Sequence, residues 1–410
     1  MLPAKALFYA LLVLLLTSIL SGSLIMMAQI NRLQFSQFQT RETLIRNANS
    51  GINLLRASGE TLLNPKHIDL YGNGNDSVVL ETTNWGVFKV GRSTAFSNRG
   101  NQQRVHTKIC LFGHRLEGIQ RSALYLTDRN KPLTICGNAR IKGTAFLPEA
   151  GIKRGFIEGQ PYTGEQMIFG AQKQSEKQII GLGKAMEKIL ITNIDLEKLP
   201  FSMLGDSTHI PFTEKGIQIH DQIITIQNQI LKGKVKLSAT ESVIIAKEAT
   251  IEHVIIEAPN IIIESGFQGT LQAIASESLT VEPNVILNYP SALLLLPGSE
   301  NERFVSIDRN AQISGVIIVF SDPLTSNPAH FKLEETGHII GQVVIAGVAE
   351  IRGAITGHLS CNALFLKTEA SIYDNHLLDA ELSYNELPDV FAGTTLFDSN
   401  APKSIIKWLD

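Results

Sequence analysis

The chain has 410 residues, enough for a sizeable core and for more than one folding unit. A net charge of −3, with 18% charged residues, excludes the basic footprint of a nucleic-acid-binding surface. Three cysteines are too few for a disulfide framework.

The first element is apolar. Ala6 to Ile30 contains no charged residue. As a helix it spans roughly 37 Å, against about 30 Å of bilayer hydrocarbon. A signal peptide would be cut near Ser21-Gly22-Ser23, but Leu24-Ile25-Met26-Met27 carries the apolar run onward. Residues 1–31 therefore read as an uncleaved transmembrane anchor. Lys5 precedes the helix, and Arg32, Arg41 and Arg46 follow it. Charge is nearly balanced across the span, and a five-residue head is easily retained. The expectation is a single-pass inner-membrane protein with its large domain in the periplasm.

Residues 32–62 read as an amphipathic helical stalk. Leu33, Phe35, Phe38, Leu44, Ile45, Ile52, Leu54 and Leu55 recur at roughly helical spacing, and Ser58-Gly59 closes the helix. This unbroken passage from apolar to amphipathic helix, with Asn49-Ser50-Gly51-Ile52-Asn53-Leu54-Leu55, resembles the PilX and general-secretion K minor-pilin group. The resemblance implies partners in a secretion or pilus-type assembly. The pilin Gly-Phe cleavage site, with Glu five residues into the mature helix, is missing near Lys5.

Residues 63–130 read as strands and turns, such as Ile68-Asp69-Leu70-Tyr71 and Val78-Val79-Leu80 around Gly72-Asn73-Gly74-Asn75-Asp76. Trp85 reads as a packing residue. From 131 to 385 a repeat dominates. Val243-Ile244-Ile245, Ile261-Ile262-Ile263 and Leu279-Thr280-Val281 stand 18 apart, and Ala249, Phe267 and Val285 keep the step. Ala239-Thr240-Glu241-Ser242 answers to Ala275-Ser276-Glu277-Ser278 at twice that step. A period this short cannot hold a strand and a full helix, but it holds one coil of a solenoid. The predicted fold class is mainly β: a right-handed parallel β-helix behind an N-terminal transmembrane helix. A charged, helix-compatible insertion covers 172–199, and 386–410 reads as a tail packed outside.

An aliphatic-x-Gly-x-aliphatic pattern recurs at Ile141–Ala145, Leu231–Val235, Ile313–Ile317, Ile339–Val343 and Ile351–Ile355. Glycine permits a corner or a close backbone approach there. The pattern resembles the coils of bactofilins, polymer-forming bacterial β-helices, which implies self-association as a second possibility. Ala123–Leu126, Cys136-Gly137-Asn138 and Ile141–Pro148, with Ile405–Leu409, resemble a family of bacterial membrane-anchored envelope proteins, a likeness that implies no activity.

Chemistry-bearing residues are sparse. Thr-Gly-His occurs at 336–338 and 356–358, so His338 and His358 would stack on one face if a coil were twenty residues; a third metal ligand is not evident. Cys110 and Cys136 read as a pair in an oxidising compartment or as buried thiols, and Cys361 has no obvious partner. Arg140-Ile141-Lys142 matches one polygalacturonase motif without its paired aspartates. No phosphate loop, dinucleotide fingerprint or nucleophile elbow appears. No catalytic, cofactor or metal residue is assigned. The expectation is a non-enzymatic structural protein, with a carbohydrate-binding or carbohydrate-active β-helix as a third reading.

Overall fold

A computed structural model describes residues 4–58, 62, 64–72, 74, 76–97, 104–157, 159–191, 195–298, 302–322, 327–369, 371–397 and 402–409. Two compact units share the chain. The first comprises Met1–Leu55, Leu62–Glu81 and Arg92–Lys108; the second comprises Arg56–Thr61, Thr82–Gly91 and Ile109–Asp410.

The first unit is organised by helix α1, Ala4–Ala57, which runs without a break. Its large apolar side chains from Leu7 to Ile30 are exposed, and it is long and apolar enough to cross a membrane. Further along, one stripe becomes buried: Leu44, Asn47, Ala48, Ile52 and Leu55 recur at helical spacing. Gly51 sits in that stripe. A Cβ there would meet Ser93 Oγ at 2.0 Å and Leu80 Cδ2 at 2.8 Å, so the bare glycine sets how closely helix and strands approach. The strands are antiparallel: Lys66–Asp69 pairs with the start of Asp76–Trp85, Lys66 opposite Leu80. Asp69 closes the turn by accepting hydrogen bonds from the amides of Tyr71, Gly72 and Gly74.

The second unit is built on a large parallel sheet. The 18-residue repeat is its pairing register. Val243 lies beside Ile261 and Ile261 beside Leu279. Side chains alternate between two faces. On one face Val243, Ile261, Leu279, Val305, Phe331, Ala349 and their neighbours form one continuous aliphatic core, with Phe267 and Val285 inside it. The step is not constant. It widens to 26 where Gln312 pairs with His338 and narrows to 16 where His338 pairs with Ala354.

One glycine column runs through this sheet. Gly315 pairs with Gly341 and Gly341 with Gly357, at φ of +150°, +145° and +143°. A Cβ on Gly341 would stand 1.9 Å from Gly315 O, and one on Gly357 1.9 Å from Gly341 O. The pattern at Ile313–Ile317 and Ile339–Val343 belongs to this column. Gly353, in the same local text, does not; the column continues instead through Gly357 of the second Thr-Gly-His triplet.

The stacking order departs from chain order. Ala354–Lys367, the last long strand, pairs in parallel with Leu124–Leu126 and Glu381–Ser383. Those two pair with Ala145–Leu147 and Arg140–Lys142, on which Gln172–Gln174 and Ile168–Phe169 are laid. The repeat itself starts at the opposite limit of the sheet, with Glu197–Pro200 beside Ile217–Ile226. Thus the early strands stack on the end of the repeat, and 175–196 connects one limit of the sheet to the other.

The expected helical insertion at 172–199 is present but shorter than those bounds. Only α2, Leu182–Ile191, is helical, and Gln172–Gln174 and Glu197–Pro200 are sheet strands. The sheet also takes its first strand at Leu124, inside the region read as a separate β segment ending at 130. Within the region read as a packed tail, Lys403–Leu409 is a strand that pairs antiparallel with Arg104–Arg115, Leu409 opposite Ile109.

The second face of the parallel sheet carries its own core. Ile255, Ile274, Leu294, Val316, Ile318 and Val344 meet Trp85, Phe88, Leu111, Ala185, Ile189, Leu396 and Leu409. Trp85 packs edge-on against Phe212, with centroids 5.3 Å apart, and its indole N–H donates to His253 O. Two buried glutamines grip this cover. Gln272 accepts from Val87 N and donates to Trp85 O; Gln342 accepts from Thr394 N through Oε1.

Candidate ligand cavity

Where the cover on this second face stops, the second unit contains a cavity of about 380 Å³. Its floor is three neighbouring strands. Gln342 and Val344 come from His338–Ile351, His358 and Ser360 from Ala354–Lys367, and Tyr125 from Leu124–Leu126. Gln342 lies opposite His358, Val344 opposite Ser360, and Ser360 opposite Tyr125. The alternation that sends Val343, Ile345, Leu359 and Cys361 into the aliphatic core sends these five to the cavity. Its walls are the turn Glu117–Gln120, the segment Ile179–Gly181 that leads into α2, and Phe397.

Each floor group has a defined hydrogen-bonding capacity. His358 is 2% exposed, and its Nδ1 lies 2.9 Å from Ser122 O. A carbonyl only accepts, so Nδ1 carries the proton and Nε2 keeps a free lone pair. Burial pulls the imidazole pKa down to about 4, so the ring is neutral at physiological pH. Gln342 is 1% exposed; its oxygen is taken by Thr394 N, which leaves the amide N–H₂ to the cavity. The Tyr125 hydroxyl donates to Gln178 O and accepts from Glu176 N, so Tyr125 offers the cavity only its ring. Ser360 adds a hydroxyl, and Glu117 and Gln120 add polar groups at the rim.

Ser360 and His358 do not form a nucleophile–base couple. His358 bonds to Ser122 and not to Ser360, and its Nδ1 is oriented by a main-chain carbonyl instead of a carboxylate. A neighbouring recess of about 190 Å³ holds Arg115 and Arg121. Both guanidinium groups are engaged, Arg115 with Asp389 O and Arg121 with the Tyr384 hydroxyl.

The histidines read as a possible stack are separated. His338 lies opposite Ala354, its Nε2 2.9 Å from Thr356 Oγ1, while His358 lies opposite Gln342. The triplets are 20 residues apart but the local step is 16, so they fall out of register. No group of three potential metal ligands occurs among the described residues. Cys110, Cys136 and Cys361 are buried free thiols, so the Cys110–Cys136 pair does not form. Cys136 packs with Ile157 and Leu366, while Cys110 sits opposite Trp408. Burial raises the Cys110 thiol to about 12 and holds Cys136 and Cys361 above the ordinary range. Arg140-Ile141-Lys142 is a strand whose Lys142 pairs with Glu381 and Glu386. His358 stands out in the sequence only as half of a Thr-Gly-His pair, and Gln342, Ser360 and Tyr125 do not stand out as site residues. Their one available signal was a polar residue at alternate positions of a strand that is otherwise apolar.

No family model, curated protein or solved structure matches the chain.

Proposed function

We propose that the chain is a non-enzymatic structural protein of the bacterial cell envelope. In this reading α1 anchors it in the inner membrane, and the large second unit is a right-handed parallel β-helix presented in the periplasm. It acts as a minor-pilin-like component or scaffold of a secretion or pilus-type assembly. The observation that carries the reading is the division of labour along α1. Its apolar first half is exposed, as a lipid- or partner-facing segment is, and its second half carries a buried stripe from Leu44 onward. Antiparallel strands packed on the distal half of a long N-terminal helix suit a subunit that uses the proximal half for lateral packing. Leu33, Phe35 and Phe38, exposed beyond the apolar span, supply further side chains for a neighbouring helix.

The test is protease accessibility in spheroplasts, combined with photocrosslinking from Phe38. Digestion of the second unit from outside, with crosslinks to other envelope proteins, supports the proposal. Protection until the membrane is broken, with crosslinks only to copies of this chain, replaces it with a cytoplasmic, bactofilin-like polymerising scaffold.

A further inference from the structure

We propose that the cavity over Gln342, His358 and Ser360 is a binding site for an uncharged saccharide ring. No Lys or Arg lines the cavity, and Glu117 stands at its rim, which disfavours phosphate or carboxylate ligands. Its one imidazole is not accompanied by the further ligands a metal ion needs. A purely apolar guest, such as an acyl chain, would strip water from the His358 lone pair, the Gln342 amide and the Ser360 hydroxyl without replacing their hydrogen bonds.

What remains is a neutral guest carrying donors and acceptors side by side. Gln342 and His358 stand on adjacent paired strands, about 4.8 Å apart by sheet geometry. One presents only N–H and the other only a lone pair. Each hydroxyl of a sugar both donates and accepts, so two hydroxyls on one ring satisfy the two groups together. Ser360 on the floor and Glu117 at the rim provide places for others. The C–H faces of such a ring require apolar contacts, and Tyr125 and Val344 on the floor with Phe397 and Ile119 in the walls provide them. His358 stays a lone-pair acceptor because Ser122 O fixes its tautomer, and Gln342 stays a donor because Thr394 N occupies its oxygen. Such fixed polarity characterises a preorganised site.

The experiment uses the full chain, labelled with ¹⁵N in its histidine rings and held in a polyoxyethylene detergent, since alkyl glycosides would compete. Glucose, N-acetylglucosamine, decanoate and inorganic phosphate are titrated separately. The expected result is a saturable shift of one unprotonated Nε2 resonance with at least one sugar, and none with decanoate or phosphate. That resonance is absent from His358→Phe, whose sugar affinity falls about tenfold, the worth of one buried hydrogen bond. Ser360→Ala, a milder change that guards against misfolding, weakens binding several-fold. A shift with decanoate or phosphate but neither sugar overturns the assignment. So does the absence of any shift, which would make the cavity a solvated gap in the cover.

Discussion

The two faces of the parallel sheet solve the same problem by different means. One is filled by Ile, Val, Leu and Phe stacked in register, and its cohesion is almost wholly apolar. The other is covered by segments distant in the chain, including Trp85–Phe88, α2 and Lys403–Leu409, and polar grips reinforce its apolar contacts. Repetition along the sequence suffices to build a core from neighbouring passes. Fastening a non-repeating cover takes directed bonds, because a flat apolar layer alone does not fix which backbone lies where.

The sharpest way to break the repeating face is through its glycine column. Gly341→Val places a branched side chain at φ +145° against the Gly315 carbonyl, and neither backbone has room to withdraw. A loss of about 4–5 kcal/mol is expected, read as a lowered denaturation midpoint of the second unit. Ile261→Ala, in the middle of the aliphatic core, follows at about 3–4 kcal/mol by the same measurement.

Acid separates the faces next. His358 and His253 have folded-state pKa values near 4, chiefly through burial, and both lie outside the aliphatic core. The unfolded chain takes up these protons near pH 6.5, while the folded chain refuses them until about 4. Their contribution is therefore complete above about pH 6.5 and is lost as pH falls toward 4. The expected slope is about 1.4 kcal/mol per pH unit per histidine, measured by denaturant titration at pH 7 and pH 5.5. Burial also draws His114 to about 4, so it adds to the loss in the same direction. An unchanged midpoint at pH 5.5 would mean that the cover opens to water.

Gln272→Leu tests the polar grip. It leaves Val87 N–H and Trp85 C=O without their partner, at a cost of about 2 kcal/mol, and raises amide exchange at Val87 with the repeat still protected. The smallest effect belongs to the solvent edge. Lys236→Ala removes a partly exposed ion pair with Glu257 and shifts the midpoint by about 1 kcal/mol or less.

What the sequence disclosed follows the same division. Val243, Ile261 and Leu279 announce their pairing because partners in a repeat are also similar in text. The long N-terminal helix is plain from composition, and the buried stripe around Gly51 gives a reason for the small residues noticed there. The junction of Leu124–Leu126 with Ala354–Lys367 was hidden, since nothing in three residues names a partner more than 230 positions away. The helix read over 172–199 is present as Leu182–Ile191, but its ends were set too wide, because the flanks Gln172–Gln174 and Glu197–Pro200 are strands whose polar and charged residues satisfy a helical pattern equally well. His358 was misplaced by a fixed step of about twenty where the local step is 16. The cavity depends on both hidden features, so its floor could be assembled only in three dimensions.

That junction sets a schedule for the newborn chain. Leu124–Leu126 leaves the ribosome long before Ala354–Lys367 exists; one of its edges finds Ala145–Leu147 early, but the other must wait through the synthesis of the whole repeat. Only its final passes meet the strands that came first. A truncation shortly before residue 354 would therefore remove more than one end of the molecule: it would leave the earliest strands without the surface on which they dock.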